Sequence, residues 1–176
     1  YWYEGREKIL LVVPAPLLAQ WTQLFESYFS IPFTVSIPDN RSWGCQSFSS
    51  ENTCNEQEAV ILASYEYAAA HAETLAQTDW DLCVFDEAHH LRKIYTGENK
   101  TASALKRIAG DSFKLLLTAT PMQNSIMDLY GLISFIDQTA LPDEKAFYNR
   151  YFRRPENYAE LAGLAGKYCF RATREE

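Results

Sequence analysis

No apolar run in this 176-residue sequence is long enough to cross a bilayer; the run Ile9 to Val13 stops at Pro14. No basic leader followed by an apolar stretch is present, so nothing resembles a secretion signal. The four cysteines, Cys45, Cys54, Cys83 and Cys169, form no Cys-x-x-Cys pair, which argues against the common zinc frameworks. Cys83 lies inside an apolar run and reads as core. Cys45 and Cys54 flank a polar loop and are not expected to be bonded, the implied compartment being reducing cytoplasm. Positive charge is short as well: 16 Lys and Arg against 23 Asp and Glu leave a net charge of −7. That excludes a broad electrostatic grip on nucleic acid but not a narrow contact through backbone amides and a few cations. Glycine is scarce, with Gly5 the only one before Gly44, and no Gly-x-x-x-x-Gly-Lys-Ser/Thr segment exists to cradle phosphates. The opening Tyr1-Trp2-Tyr3 and the closing Arg174-Glu175-Glu176 read as cuts in something longer.

Short apolar strands do recur, alternating with amphipathic helices. Lys8 to Val13, Phe33 to Ile37, Ala59 to Ala63, Asp81 to Phe85 and Phe113 to Leu117 read as strands, with Tyr168 to Phe170 as a terminal one. Leu17, Leu18, Trp21, Leu24, Phe25, Tyr28 and Phe29 recur at helical spacing. Further helices are expected at Tyr65 to Gln77, Thr101 to Ala109 (stopped by Gly110), Ser125 to Ile136, Asp143 to Phe152 and Pro155 to Lys167. Pro38 to Glu58 is polar and without period, and reads as an exposed loop or insertion. The alternation implies an α/β sandwich with a mainly parallel sheet.

The chain is organised around Asp86-Glu87-Ala88-His89, where an apolar strand ends abruptly in two acids. In open α/β sheets ligands gather at that edge. Adjacent acids there suit a hydrated magnesium ion, the first helping to hold it and the second free to orient or deprotonate a water. A solvated acid-capped turn is the alternative. Two other places have similar double readings. The helix N-terminus near Pro14 and Ala15 offers amides to a phosphate, or is an ordinary strand-to-helix turn. Ser64 and Tyr65 touch a nucleic-acid backbone, or are a capping serine and a packed tyrosine. The polar loop Thr118 to Asn124 follows another strand and should neighbour the acids, since parallel strands place their tips along one edge.

Taken in order, these stretches resemble the first RecA-like lobe of a superfamily 2 helicase-type ATPase, most closely the Swi/Snf family of double-stranded-DNA translocases. Leu10 to Leu18 with Gln20-Trp21 resembles motif Ia, and Ala63-Ser64-Tyr65-Glu66 a second DNA-facing segment, departing at its first position. Trp80-Asp81 through His89 resembles motif II, Leu116 to Asn124 with Asp128-Leu129-Tyr130 motif III, and Phe170 to Arg174 the closing arginine segment. The resemblance implies a RecA-like three-layer sandwich, partial over 1–176 and missing its phosphate-loop strand. It implies ATP and magnesium as cofactors, Asp86 holding magnesium through water, Glu87 activating the attacking water, and His89 coupling the nucleotide to motif III or the second lobe. Thr118, Thr120, Gln123 and Asn124 would transmit nucleotide state. Pro14, Ala15, Ser64 and Tyr65 would meet one strand of double-stranded DNA. A second RecA-like lobe of the same parent chain is the other implied partner.

Without the phosphate loop, the chain alone is expected neither to hydrolyse ATP nor to translocate. The absent strand should leave a slot between the strand at Phe113 to Leu117 and the terminal strand, so that these strands close up, splay or accept a neighbouring chain in non-native self-association. The alternatives are a strand-separating DNA or RNA helicase and a non-catalytic interaction module. A cytoplasmic, nucleoid-associated place in a bacterium or a nuclear one in a eukaryote follows, with no membrane partner.

Overall fold

The computed structural model describes residues 8–28, 33–38, 43–47 and 60–171. A six-stranded sheet carries the architecture, in the order β3-β2-β4-β1-β5-β6. The strands are β1 (Ile9–Val13), β2 (Phe33–Pro38), β3 (Trp43–Ser47), β4 (Val60–Ser64), β5 (Leu82–Phe85) and β6 (Phe113–Leu116). All neighbours pair in parallel except β2 and β3, which are antiparallel. The helices are α1 (Leu18–Tyr28), α2 (Tyr65–Ala70), α3 (Ala72–Leu75), α4 (Lys100–Ala109), α5 (Ile126–Ile136), α6 (Glu144–Phe147) and α7 (Tyr158–Ala165).

Side chains alternate across the strands, so the sheet feeds two cores. Leu10, Val12, Cys83 and Phe85 pack with residues of α2 to α5 on one face. Leu11, Val13, Phe33, Val35, Val60 and Leu62 pack with α1 on the other. A third cluster joins α5 to the C-terminal helices through Tyr130, Ile133, Phe147, Tyr151 and Leu161. Helix α5 serves both sides, which is why it is buried nearly all round. Among the described residues no helix is long and apolar enough to cross a membrane. Cys83 is fully buried, as its place in an apolar run predicts. Cys54 lies outside the described residues.

The α/β class and the mainly parallel sheet are as expected, but four local readings need correction. The polar stretch 38–58 is not all loop: Trp43–Ser47 forms β3 and satisfies the outer backbone edge of β2. The helix expected from Tyr65 to Gln77 breaks at His71, whose backbone N–H and ring Nδ1 both turn to the Tyr67 carbonyl at 3.0 Å. The helix expected from Asp143 to Phe152 keeps its Asp143 cap but loosens into a π-helical turn over Tyr148–Phe152. Tyr168 to Phe170 forms no strand. The N–H groups of Tyr168 and Cys169 prolong the helical turn onto Ala165, and the Tyr168 hydroxyl is held by Asp137 at 3.0 Å. The terminal segment is thus pinned to the end of α5 and leaves Phe170 in solvent.

Among the described residues the slot expected between two strands is therefore a one-sided edge at β6. Paired residues of parallel strands share a face, and Leu11, Val84 and Leu115 form one such row on the α1 side. Helix α1 covers its β4 end, so Phe113 and Leu115 are 56% and 47% exposed. Residues 1–7, 48–59 and 172–176, which include part of the expected closing arginine segment, lie outside the described residues.

Candidate functional site

The tips of β5 and β6 are tied together. Leu117 donates its N–H to the Phe85 carbonyl at 2.9 Å, and Ala88 donates to the Leu117 carbonyl at 2.8 Å. This brings the acid pair beside the loop Thr118 to Asn124, the juxtaposition expected from parallel strands.

Asp86 is fixed on every side. Its N–H continues the sheet by donating to the Val12 carbonyl at 2.8 Å. Its Oδ1 accepts from the Glu87 N–H at 2.9 Å and its Oδ2 from the Trp21 indole Nε1 at 2.9 Å. Its carbonyl accepts from the Tyr65 hydroxyl at 2.8 Å. Burial, helped by the carboxylates of Asp86 and Glu87, pushes the Tyr65 phenol far above its ordinary range, so it stays a donor.

Glu87 is the only non-glycine residue with positive φ among those described, at φ 49° and ψ 46°. A glutamate there is strained, and strain of this kind gathers at functional sites. Its Oε2 lies 3.0 Å from His89 Nδ1, and both side chains are more than a third exposed. The rings of His89 and His90 lie 4.3 Å apart, and Tyr65 packs on His90. Burial and the adjacent His89 hold His90 below the ordinary imidazole range.

The loop after β6 is built on two buried charges. Asp128 Oδ2 accepts from the backbone N–H groups of Gln123 and Asn124 at 3.1 and 3.0 Å. Burial opposes its ionisation, but these amides, that of Ser125 and the charge of Arg92 prevail and hold it below the usual carboxylate range. Arg92, 6% exposed, donates to Thr120 Oγ1 at 2.8 Å and to Gln123 Oε1 at 2.9 Å. Thr118 Oγ1 accepts from the Thr120 N–H at 3.2 Å.

The remaining expected residues divide. Pro14 and Pro16 carry no N–H and Leu17 spends its own on the Pro14 carbonyl, so in this turn it falls to the exposed Ala15 to offer an amide. Ser64 is fully buried and caps α2, its Oγ accepting the Tyr67 N–H at 3.0 Å. Tyr65 is 5% exposed and bonded to Asp86, so in this conformation the two side chains are the capping serine and packed tyrosine of the alternative reading. His89 meets Glu87, while the side-chain bonds from this segment into the motif III loop come from Arg92. The sequence suggested no role for Arg92, and it placed Trp21 in a helix core and in the motif Ia resemblance without a link to Asp86. The available signals were an arginine just past the acids beside an apolar Leu91, and a tryptophan whose N–H needs a partner once buried.

Among the described residues no group of three or more His, Cys, Asp or Glu forms an all-protein metal cage. A hydrated magnesium ion needs only one or two carboxylates besides its waters and substrate phosphates. Asp86 fits that demand: each oxygen takes one N–H, which sets its direction and leaves lone pairs for bound water.

A profile described as SNF2-related domain matches residues 2–176. The chain belongs to the SNF2-related domain family. This SNF2-related chain is 28% identical over 175 residues to "Uncharacterized ATP-dependent helicase YqhH" of Bacillus subtilis, covering 97% of the chain and 28% of that protein. It is 31% identical over 162 residues to "RNA polymerase-associated protein RapA" of Sodalis glossinidius, covering 90% of the chain and 16% of that protein. To "TATA-binding protein-associated factor mot1" of Schizosaccharomyces pombe it is 26% identical over 147 residues, covering 82% of the chain and 7% of that protein. The SNF2-related chain thus spans between 7% and 28% of these relatives. Its fold matches a Sulfolobus solfataricus SWI2/SNF2 ATPase core, solved in complex with dsDNA, with TM-score 0.75 and 20% identity over 99% of the chain and 35% of that structure.

Proposed function

We propose that this chain is the acid-bearing part of the first motor lobe of an ATP-dependent double-stranded-DNA translocase or remodeller, acting in a bacterial nucleoid or a nucleus. The observation that carries the reading is the strand-tip acid pair, with Asp86 locked by four hydrogen bonds and Glu87 held in a left-handed conformation beside it. Asp86 directs its carboxylate at the waters of a magnesium ion, which when bound neutralises charge on the phosphates. Glu87 is the base that accepts a proton from the attacking water, its carboxylate aimed by His89. The loop Thr118, Thr120, Gln123 and Asn124 senses the nucleotide and relays its state toward DNA and a second lobe of the parent chain. Ala15 and the turn at Pro14 meet a phosphate of one DNA strand through backbone, a sequence-blind contact suited to translocation. Because no glycine-rich phosphate loop occurs in this sequence, the chain by itself is inactive, and turnover belongs to the parent.

The test is ATP turnover by the longest parent chain, without DNA, with single strands and with duplex, alongside Glu87→Gln. Turnover stimulated by duplex and abolished in the variant supports the motor. Equal or greater stimulation by single strands favours a strand-separating helicase. No turnover under any condition leaves a non-catalytic module.

A further inference from the structure

Arg92 joins the acid segment to the motif III loop. A charged residue 6% exposed is rare in a core and costly unless its donors are met. The 3-10 turn Ala88–Leu91 that follows the acids delivers it there as the C-terminal cap. Its guanidinium reaches Thr120 Oγ1 at 2.8 Å and Gln123 Oε1 at 2.9 Å, residues 28 and 31 positions away. Its backbone is held too: a Cβ on Gly131 would lie 1.7 Å from the Arg92 carbonyl oxygen, so α5 rides directly against it. A shift of the acid segment therefore cannot occur without pulling on both the loop and the helix that follows it.

The chemistry of the contact suits a releasable link. The two acceptors are a neutral hydroxyl and a neutral amide, which hold a guanidinium less firmly than a bidentate carboxylate does. Its Nε is buried without a partner among the described residues, and Asp128 acts on it through space while spending Oδ2 on backbone amides. A permanent brace would pair Arg92 and Asp128 directly. Moving the loop off Arg92 breaks two hydrogen bonds to neutral acceptors and no direct carboxylate pair.

Resting on the motor reading above, we propose that Arg92 is the positioning residue that transmits the state of the Asp86–His89 segment to Thr120 and Gln123. It touches neither substrate nor metal. The decisive variants, in the longest parent chain, are Arg92→Met, which keeps the stem and removes the donors, and Arg92→Lys, a point charge that cannot bridge both acceptors. The readout is the ratio of duplex-stimulated to DNA-free turnover, with KM for ATP and kcat determined separately. The ratio should fall roughly tenfold or more in Arg92→Met, as loss of hydrogen bonds to a charged group implies. The fall should lie in kcat and be smaller in Arg92→Lys. Removing the other side, with Thr120→Val and Gln123→Met together, should lower the ratio similarly, and adding Arg92→Met to them should lower it little further. This loop-side pair keeps the test open if Arg92→Met fails to fold. A ratio unchanged in folded Arg92→Met, or fully additive losses, would overturn the proposal while wild-type stimulation still stood. A wild-type parent without duplex stimulation would instead bring down the motor reading, and this inference with it.

Discussion

Trp21 and Asp86, 65 positions apart, meet in a 2.9 Å hydrogen bond from the indole N–H to Oδ2. The helix that starts at the proposed phosphate contact therefore holds the acid proposed to face magnesium. Trp21→Phe keeps an aromatic ring for the partly buried contact with Phe25 and deletes only the donor. The carboxylate then loses one of the two N–H groups that aim it. In the parent enzyme the magnesium concentration for half-maximal turnover should rise, by about tenfold if this contact acts as outer-shell partners of metal ligands do. An unchanged magnesium dependence in a folded variant would show that the bond only packs α1.

Two glycines in helices should respond oppositely to the same substitution. Gly131→Ala drives a methyl group into the Arg92 carbonyl, 1.7 Å from its oxygen, where backbone rather than a flexible side chain must yield. Overpacking of this kind costs about 1–3 kcal/mol or more. Gly163 in α7 has nothing within 4 Å of an added Cβ, so Gly163→Ala should gain about 0.5–1 kcal/mol from helix propensity. Urea denaturation of the two variants checks both signs.

The sheet was legible because buried parallel strands announce themselves as apolar runs, and Ile9 to Val13, Val60 to Ala63 and Leu82 to Phe85 do so. Their neighbouring tips followed from parallel pairing, whereas their order in the sheet is set by the crossover connections and was not read from the sequence. What escaped was decided by tertiary partners. Trp43–Ser47 is a strand because β2 has an edge to fill, and Tyr168 to Phe170 is not one because Asp137 captures Tyr168. Of the two readings open for Ser64 and Tyr65, the capping serine and packed tyrosine describe both side chains in this conformation. The acid pair was readable as chemistry; the bonds that aim it, from Trp21 and Tyr65, join residues far apart in sequence.

Glu87 in the left-handed region predicts a stability gain from the loss of the proposed base. A side chain there costs about 1–2 kcal/mol that glycine avoids, and the exposed contact with His89 gives little back. Glu87→Gly should therefore leave thermal stability equal or higher while abolishing turnover in the parent. A clear drop in Tm would mean that the Glu87 carboxylate holds the turn together.

Asp128 should make the motif III loop sensitive to acid. Its carboxyl is held below the ordinary range in the folded chain, so its stabilisation is complete above the unfolded value, near 3.9. That contribution is lost as pH falls through the lower, folded value. Asp128→Asn should thus destabilise by about 2 kcal/mol at neutral pH, the scale of hydrogen bonds to a charged group. The gap from wild type should narrow steadily below about pH 4. Denaturation curves of both proteins between pH 2 and pH 7 read this directly, and a gap independent of pH would exclude the charge as its source.

The β6 edge makes a prediction about the chain in isolation. Leu115, 47% exposed, presents an apolar side chain on the α1 face of β6, beyond which the sheet has no further strand among the described residues. Exposed apolar edges of this sort recruit other chains, and natural sheets blunt them with charge. Lys114, the alternate residue, is turned to the opposite face and bonded to the Gly110 and Ser112 carbonyls at 2.7 and 3.0 Å, so its charge does not cover Leu115. The isolated chain should therefore self-associate as concentration rises. Leu115→Lys should restore a monomer in sedimentation velocity without loss of the fold, since Leu115 is 47% exposed and little packing is given up. If Leu115→Lys associates as strongly as wild type, the contact runs through another surface, and Phe152 and Tyr158 beside the motif III loop, 41% and 45% exposed, are the next to change.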